Sequence, residues 1–82
     1  MNPSDIEKQV REILAEELDV SIEKVVLAAR LAEDLNMDSF AAIEMAFALE
    51  DKFSIKIPDV DIAKVKTVKD VVDYITGRCG KS

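Results

Sequence analysis

The chain has 82 residues, 17 of them Asp or Glu and 11 Lys or Arg, for a formal net charge of -6. Folding at this length hides only about 60 to 65% of the surface an unfolded chain exposes, which gives one small core and excludes a deep cleft between two lobes. At 49% apolar and 34% charged, with 2 Gly and 2 Pro, the chain is too apolar for disorder and too poor in turn residues for a many-stranded β fold, so an all-α globule is expected.

Ser4-Asp5-Ile6-Glu7 has the form of a capping box, with Ser4 as N-cap. Ile6, Val10, Ile13, Leu14 and Leu18 follow at helical spacing and predict a first helix over about 4–18. From 19 to 37 the pattern is mixed, and it reads as an ordered loop anchored by Val20, Val25, Leu31 and Leu35, with a helix over 21–32 as the competing assignment. Asp38 is a good N-cap, and Ile43, Met45, Ala46, Phe47, Leu49 and Phe53 predict a second helix over 39–53 whose outer face carries Glu44, Glu50 and Asp51. Ile55-Lys56-Ile57 alternates as an extended segment before Pro58, and 59–64 has room for one helical turn. Thr67-x-x-Asp70 resembles a second capping box, followed by a stripe of Val68, Val71, Val72 and Ile75 that Gly77 should end. The expected architecture is a small three-to-four-helix bundle with a long ordered loop between helices one and two. It forms a single domain over 1–82, with a core at about 4–77 and a mobile tail at 78–82.

No histidine is present, which excludes Ser-His and Cys-His nucleophiles and His-based metal sites. The single cysteine, Cys79, can close neither an intrachain disulfide nor a cysteine zinc site, and reads as an incidental thiol in a reducing compartment. The longest apolar runs, 25–29 and 45–49, hold five residues each, against about 20 for a membrane span. The N-terminus has neither a secretory nor a transit pattern, so the expectation is a cytoplasmic protein without membrane insertion. Asp59-Val60-Asp61 lacks the glycine and glutamate of a calcium loop and reads as a solvated turn, so no metal site is assigned. Met37 and Met45 read as packing residues.

Charge is placed unevenly. Residues 31–61 hold eight acids and two bases, a net -6, while the other 51 residues carry nine of each sign. Nucleic acid is a poor partner for such a surface, and basic protein surfaces are good ones. Within that segment Asp38-Ser39 opens the best-defined helix, where spare N–H groups and the positive dipole end favour an anion on the serine oxygen. Between 31 and 53 the only base is Lys52, so nothing here turns that hydroxyl into a nucleophile, and chemistry at Ser39 must come from another protein. On composition alone, the ordinary reading of Ser39 as a first-turn polar residue outweighs that of an attachment site.

The run Glu33-Asp34-Leu35-Asn36-Met37-Asp38-Ser39-Phe40 resembles the Asp-Ser-Leu signature of the acyl carrier proteins with its preceding Asp-Leu-Gly. Ala48-Leu49-Glu50-Asp51-Lys52-Phe53, Ile57-Pro58-Asp59, Thr67-Val68-Lys69-Asp70 and Asp73-Tyr74-Ile75 resemble that family at matching spacing, over about 6–75. The resemblance implies a carrier rather than an enzyme. Ser39 would accept 4'-phosphopantetheine from coenzyme A through a separate Mg-dependent phosphopantetheinyl transferase, with Asp38 beside the site, and the arm's thiol would carry acyl groups as thioesters for fatty acid or specialised acyl-chain (polyketide or lipid) biosynthesis. It also implies a monomer whose Glu44, Glu50 and Asp51 face acyl transferases, synthases or acyl ligases with basic surfaces. Ile43, Phe47, Ile57, Ile62 and Val65 would line an acyl pocket, the alternative being ordinary core.

Phe40 departs from the family's leucine, and Asn36-Met37 from its glycine and small or apolar residue, although Asn tolerates the left-handed conformation a glycine would supply. Lys52, Lys56, Lys64 and Lys66 make the later surface less acidic, which suits a dedicated carrier for a specialised product. An aminoacyl carrier of the D-alanyl type is the rival within the class, and an unmodified acidic helical adaptor the rival outside it.

Overall fold

The computed structural model describes the backbone of residues 3–79 and the side-chain surroundings of 5–78. Four helices form in the order α1 (Pro3–Glu17), α2 (Ser39–Phe53), α3 (Asp59–Ile62) and α4 (Val68–Cys79), with a 3-10 turn, Ile22–Lys24, in the long loop after α1. α1 packs against both α2 and α4, while α3, a single turn, leans on α2.

Ile6, Val10 and Leu14 recur every fourth residue, share one face of α1 and are buried. The helix starts at Pro3, whose fixed φ and missing N–H suit a first helical position, so Ser4 lies inside the first turn and is not its N-cap. The side chain of Ser4 lies outside the described residues. The C-terminus closes as a Schellman motif: Val20 N–H bonds to Ala15 C=O at 3.0 Å and Asp19 N–H to Glu16 C=O at 3.4 Å, with Asp19 left-handed at φ 54°.

The 19–37 segment is an ordered loop, and the competing helix is reduced to the 3-10 turn, capped by Ser21 Oγ accepting from Glu23 N–H. Val25, Leu31 and Leu35 are buried as anchors, joined by Ala29, while Val20 packs at the core's edge. The loop's backbone groups find partners outside it. Arg11 Nε donates to Val25 C=O at 2.7 Å, Leu31 N–H to Lys66 C=O at 2.9 Å and Val68 N–H to Ala29 C=O at 3.0 Å. These bonds tie the loop to α1 and to the start of α4, which is how a long irregular segment sits beside a core.

Thr67 and Asp70 form the reciprocal box: Asp70 N–H donates to Thr67 Oγ1 at 3.1 Å and Thr67 N–H to Asp70 Oδ2 at 3.2 Å. Gly77 does not end α4. The helix runs on to Cys79, no glycine among the described residues has positive φ, and Arg78, expected in the tail, packs back against α3. The rest of that expected tail, 80–82, lies outside the described residues, as does the side chain of Cys79. Residues 55–57 run without helix or strand pairing into Pro58, and α3 follows where one turn was expected. No described helix is long and apolar enough to cross a membrane.

Candidate functional site

The turn before α2 is built rigidly. Leu31 and Leu35 fix it to the core, Asp34 N–H and Leu35 N–H bond to Arg30 C=O, and Met37 N–H closes back to Leu31 C=O at 2.9 Å. Asn36, between them, is left-handed at φ 58°, a conformation Asn reaches at low cost because its short amide can hydrogen-bond locally. Asp34 Oδ2 accepts Arg30 N–H at 2.8 Å and pairs with Arg30 Nε at 3.5 Å. The bond from the Arg30 backbone N–H holds the Asp34 carboxyl below the usual carboxylate value; desolvation opposes it less strongly, and the Arg30 guanidinium adds a still smaller lowering.

This bracket delivers Asp38 and Ser39 to the end of α2. Asp38 Oδ1 accepts Ala41 N–H at 2.8 Å and its C=O accepts Ala42 N–H at 2.9 Å, so Asp38 is the N-cap. Ser39 is the first residue of the helix and is exposed, and neither its N–H nor that of Phe40 has a partner among the described residues. A groove of about 320 Å³ starts at Ser39 and is lined by Ala42 and Ile43 of α2 with Asp59, Ile62 and Ala63 of α3 and its end.

Of the five residues expected to line a pocket, Ile43 and Ile62 border this groove; Phe47, Ile57 and Val65 do not. Ile57 and Val65 pack half-buried against the core, whereas Phe47 is 64% exposed and borders a separate concavity of about 500 Å³ with Glu50, Asp51, Ser54, Ile55 and Lys56. The cause is helical phase. Met45, Ala46 and Leu49 face the core, and Phe47, two residues on from Met45, points about 200° away. Phe40 and Ile43 share its side, at 69% and 46% exposure. Ala42 and Ala63 went unnoticed in the sequence, and Asp59 was read there as part of a solvated turn rather than as a groove residue. The i+3 relation of Ala42 to Ser39 was the available signal, and for the α3 residues there was none.

The three acids of the outer face differ. Glu44 and Asp51 are exposed, but Glu50 is half-buried and its Oε2 accepts Ile57 N–H at 2.7 Å, so it closes the connection from α2 towards α3. The pair Asp59 and Asp61 is divided: Asp59 borders the groove and Asp61 receives the Tyr74 hydroxyl at 2.7 Å. Among the described residues no three acidic or cysteine side chains converge as a metal site.

The sequence profile of the family described as "Phosphopantetheine attachment site" matches residues 8–75, which defines the class: a domain bearing that cofactor. Two relatives narrow it. A protein of Thermosynechococcus vestitus named acyl carrier protein is 47% identical over 78 residues, 95% of this chain and 96% of that one. Another of that name, from Helicobacter hepaticus, is 48% identical over 71 residues, 87% and 93% of the two chains. The chain belongs to the acyl carrier protein family, and its cofactor is 4'-phosphopantetheine.

Proposed function

We propose that Ser39 is the residue to which phosphopantetheine is attached. The supporting observation is that, among the described hydroxyls, Ser39 alone combines exposure, a long helix's N-terminus and the mouth of a groove. Ser21 and Thr67 are spent on capping bonds, and Ser54 lies at the opposite end of α2. The site fits the group. A phosphodiester on Ser39 Oγ would be favoured by the positive end of a 15-residue helix whose first two N–H groups are unclaimed, with the Asp38 carboxylate turned to Ala41 N–H. When bound, the arm supplies a thiol that holds acyl groups as thioesters.

In loading, the Ser39 oxygen takes the phosphopantetheinyl phosphoryl group of coenzyme A and the adenosine 3',5'-bisphosphate half leaves. The hydroxyl proton goes to a base of the Mg-dependent transferase, since this chain has no histidine and Asp38 is engaged as a cap. Glu44 and Asp51, flanked by the Phe40 and Phe47 rings, present an acidic and apolar face to basic acyl transferases, synthases or ligases. Ile43 and Ile62 give the groove apolar walls suited to the first part of an acyl chain from fatty acid or specialised acyl-chain synthesis.

Intact mass before and after incubation with coenzyme A, Mg and a broad-specificity phosphopantetheinyl transferase tests the assignment. The parent should gain one phosphopantetheine and Ser39→Ala none, with unchanged circular dichroism. A variant that still loads rejects Ser39, and a folded parent that gains nothing beside a working control rejects loading altogether.

A further inference from the structure

α3 forms one wall of the groove, yet little apolar contact holds it, for none of its residues is buried. A polar chain ties it to α4 instead. The Tyr74 hydroxyl donates to Asp61 Oδ2 at 2.7 Å and accepts from Arg78 Nη2 at 2.8 Å. Arg78 Nη2 also lies 3.5 Å from Asp61 Oδ2, and its guanidinium sits 5.0 Å from the centroid of the Tyr74 ring. The Asp61 side chain is only 21% exposed, so the carboxylate is better shielded from water than the surface pairs of Arg30 and Lys69. Burial and then the Asp61 carboxylate push the Tyr74 hydroxyl above the usual tyrosine value, which keeps it protonated as the donor.

We propose that Asp61, Tyr74 and Arg78 form a latch that limits how far α3 can move from α2, and so sets the length of acyl chain that the groove at Ser39 shelters. The consequence for acyl chains rests on the reading of that groove given above; the latch itself does not. All three are positioning residues, acting through α3. Asp61 directly precedes Ile62, the apolar wall of the groove, so a residue tied to α4 holds that wall in place.

The test uses the full chain with Tyr74→Phe, which removes one hydroxyl, and Asp61→Asn, which keeps the side chain's size. In the unloaded protein, amide hydrogen exchange of Asp61, Ile62 and Ala63, bonded to Pro58 and Asp59 carbonyls, should accelerate about tenfold when a hydrogen bond to a charged group is lost, with α1 amides unchanged. In the loaded protein, the difference between hexanoyl and dodecanoyl thioesters in their cleavage by hydroxylamine should narrow in both variants. Unchanged α3 exchange, or equal acceleration in every helix, overturns the latch. Unchanged chain-length dependence overturns its effect on the groove. If the parent takes no phosphopantetheine while α3 exchange responds as expected, the attachment reading fails and the latch stands.

Discussion

Glu50 lies on the outer side of α2 beside Asp51, and charge alone would assign both to docking. The two carboxylates work differently, because Glu50 reaches the Ile57 N–H at 2.7 Å and holds the chain as it turns towards α3. Replacing Glu50 with Ala should therefore lower unfolding free energy by about 1 to 2 kcal/mol, by loss of a bond to a charged acceptor and exposure of an unpaired N–H. Glu44→Ala should change it by less than about 0.5 kcal/mol, as exposed substitutions usually do. Urea unfolding of the two variants checks this, and equal effects would remove the structural role of Glu50. Ser54, four residues after Glu50, takes φ 55° at the end of α2, so two features close together define this turn.

At the scale of elements, α4 depends on the box that opens it. Asp70 accepts from Lys66 N–H at 2.9 Å as well as from Thr67 N–H, and these bonds, the Lys66 one first, hold its carboxyl below the usual carboxylate value despite some desolvation. A carboxyl lowered on folding stabilises the folded state fully above its unfolded value, and that contribution disappears as pH falls through the folded value. Melting temperature should therefore fall as pH drops below about 4, and Asp70→Asn should flatten that part of the profile. Asp34 is lowered in the same direction by Arg30, so the variant should retain some acid sensitivity. A profile identical to the parent's would show that the α4 cap does not contribute to it. α2, by contrast, is capped by Asp38 directly before Ser39, and one carboxylate satisfies Ala41 N–H while the serine beside it stays exposed.

Across the whole molecule, the charge of the central segment is partly neutralised where it is structural. Glu33 and Asp34 pair with Arg30, and Asp61 with Arg78. Glu44 and Asp51 make no ion pair among the described residues, so the acidic field is concentrated along α2, with the Phe40 and Phe47 rings beside it. Charge of this kind acts mainly on encounter rate and is screened beyond about 8 Å near physiological ionic strength. The double variant Glu44→Lys, Asp51→Lys should consequently slow phosphopantetheinyl transfer more at low salt than at high salt, with melting temperature little changed. Initial loading rates at two salt concentrations measure this, and the same ratio at both would exclude charge steering by these two residues.

The sequence by itself determined the helices, because caps and periodicity are local: Asp38 and Asp70 at helix starts, Val68, Val71, Val72 and Ile75 on one stripe, and a non-glycine residue able to take positive φ at Asn36. It also carried the family signature around Ser39. What it left open was the direction of α2. Ile43, Met45, Ala46, Phe47 and Leu49 are apolar around most of that helix, and only packing against α1 decided that Met45, Ala46 and Leu49 go inward and Phe47 outward. Gly77 was a stop signal that the fold did not use, since a Cβ there would meet nothing and the residue keeps helical geometry. The bond from Glu50 to Ile57, the groove shared by α2 and α3, and the contacts of Asp61 with Tyr74 and Arg78 join residues 7 to 17 positions apart or on different helices. Such contacts depend on where whole elements come to rest, which tertiary packing sets and no local pattern records.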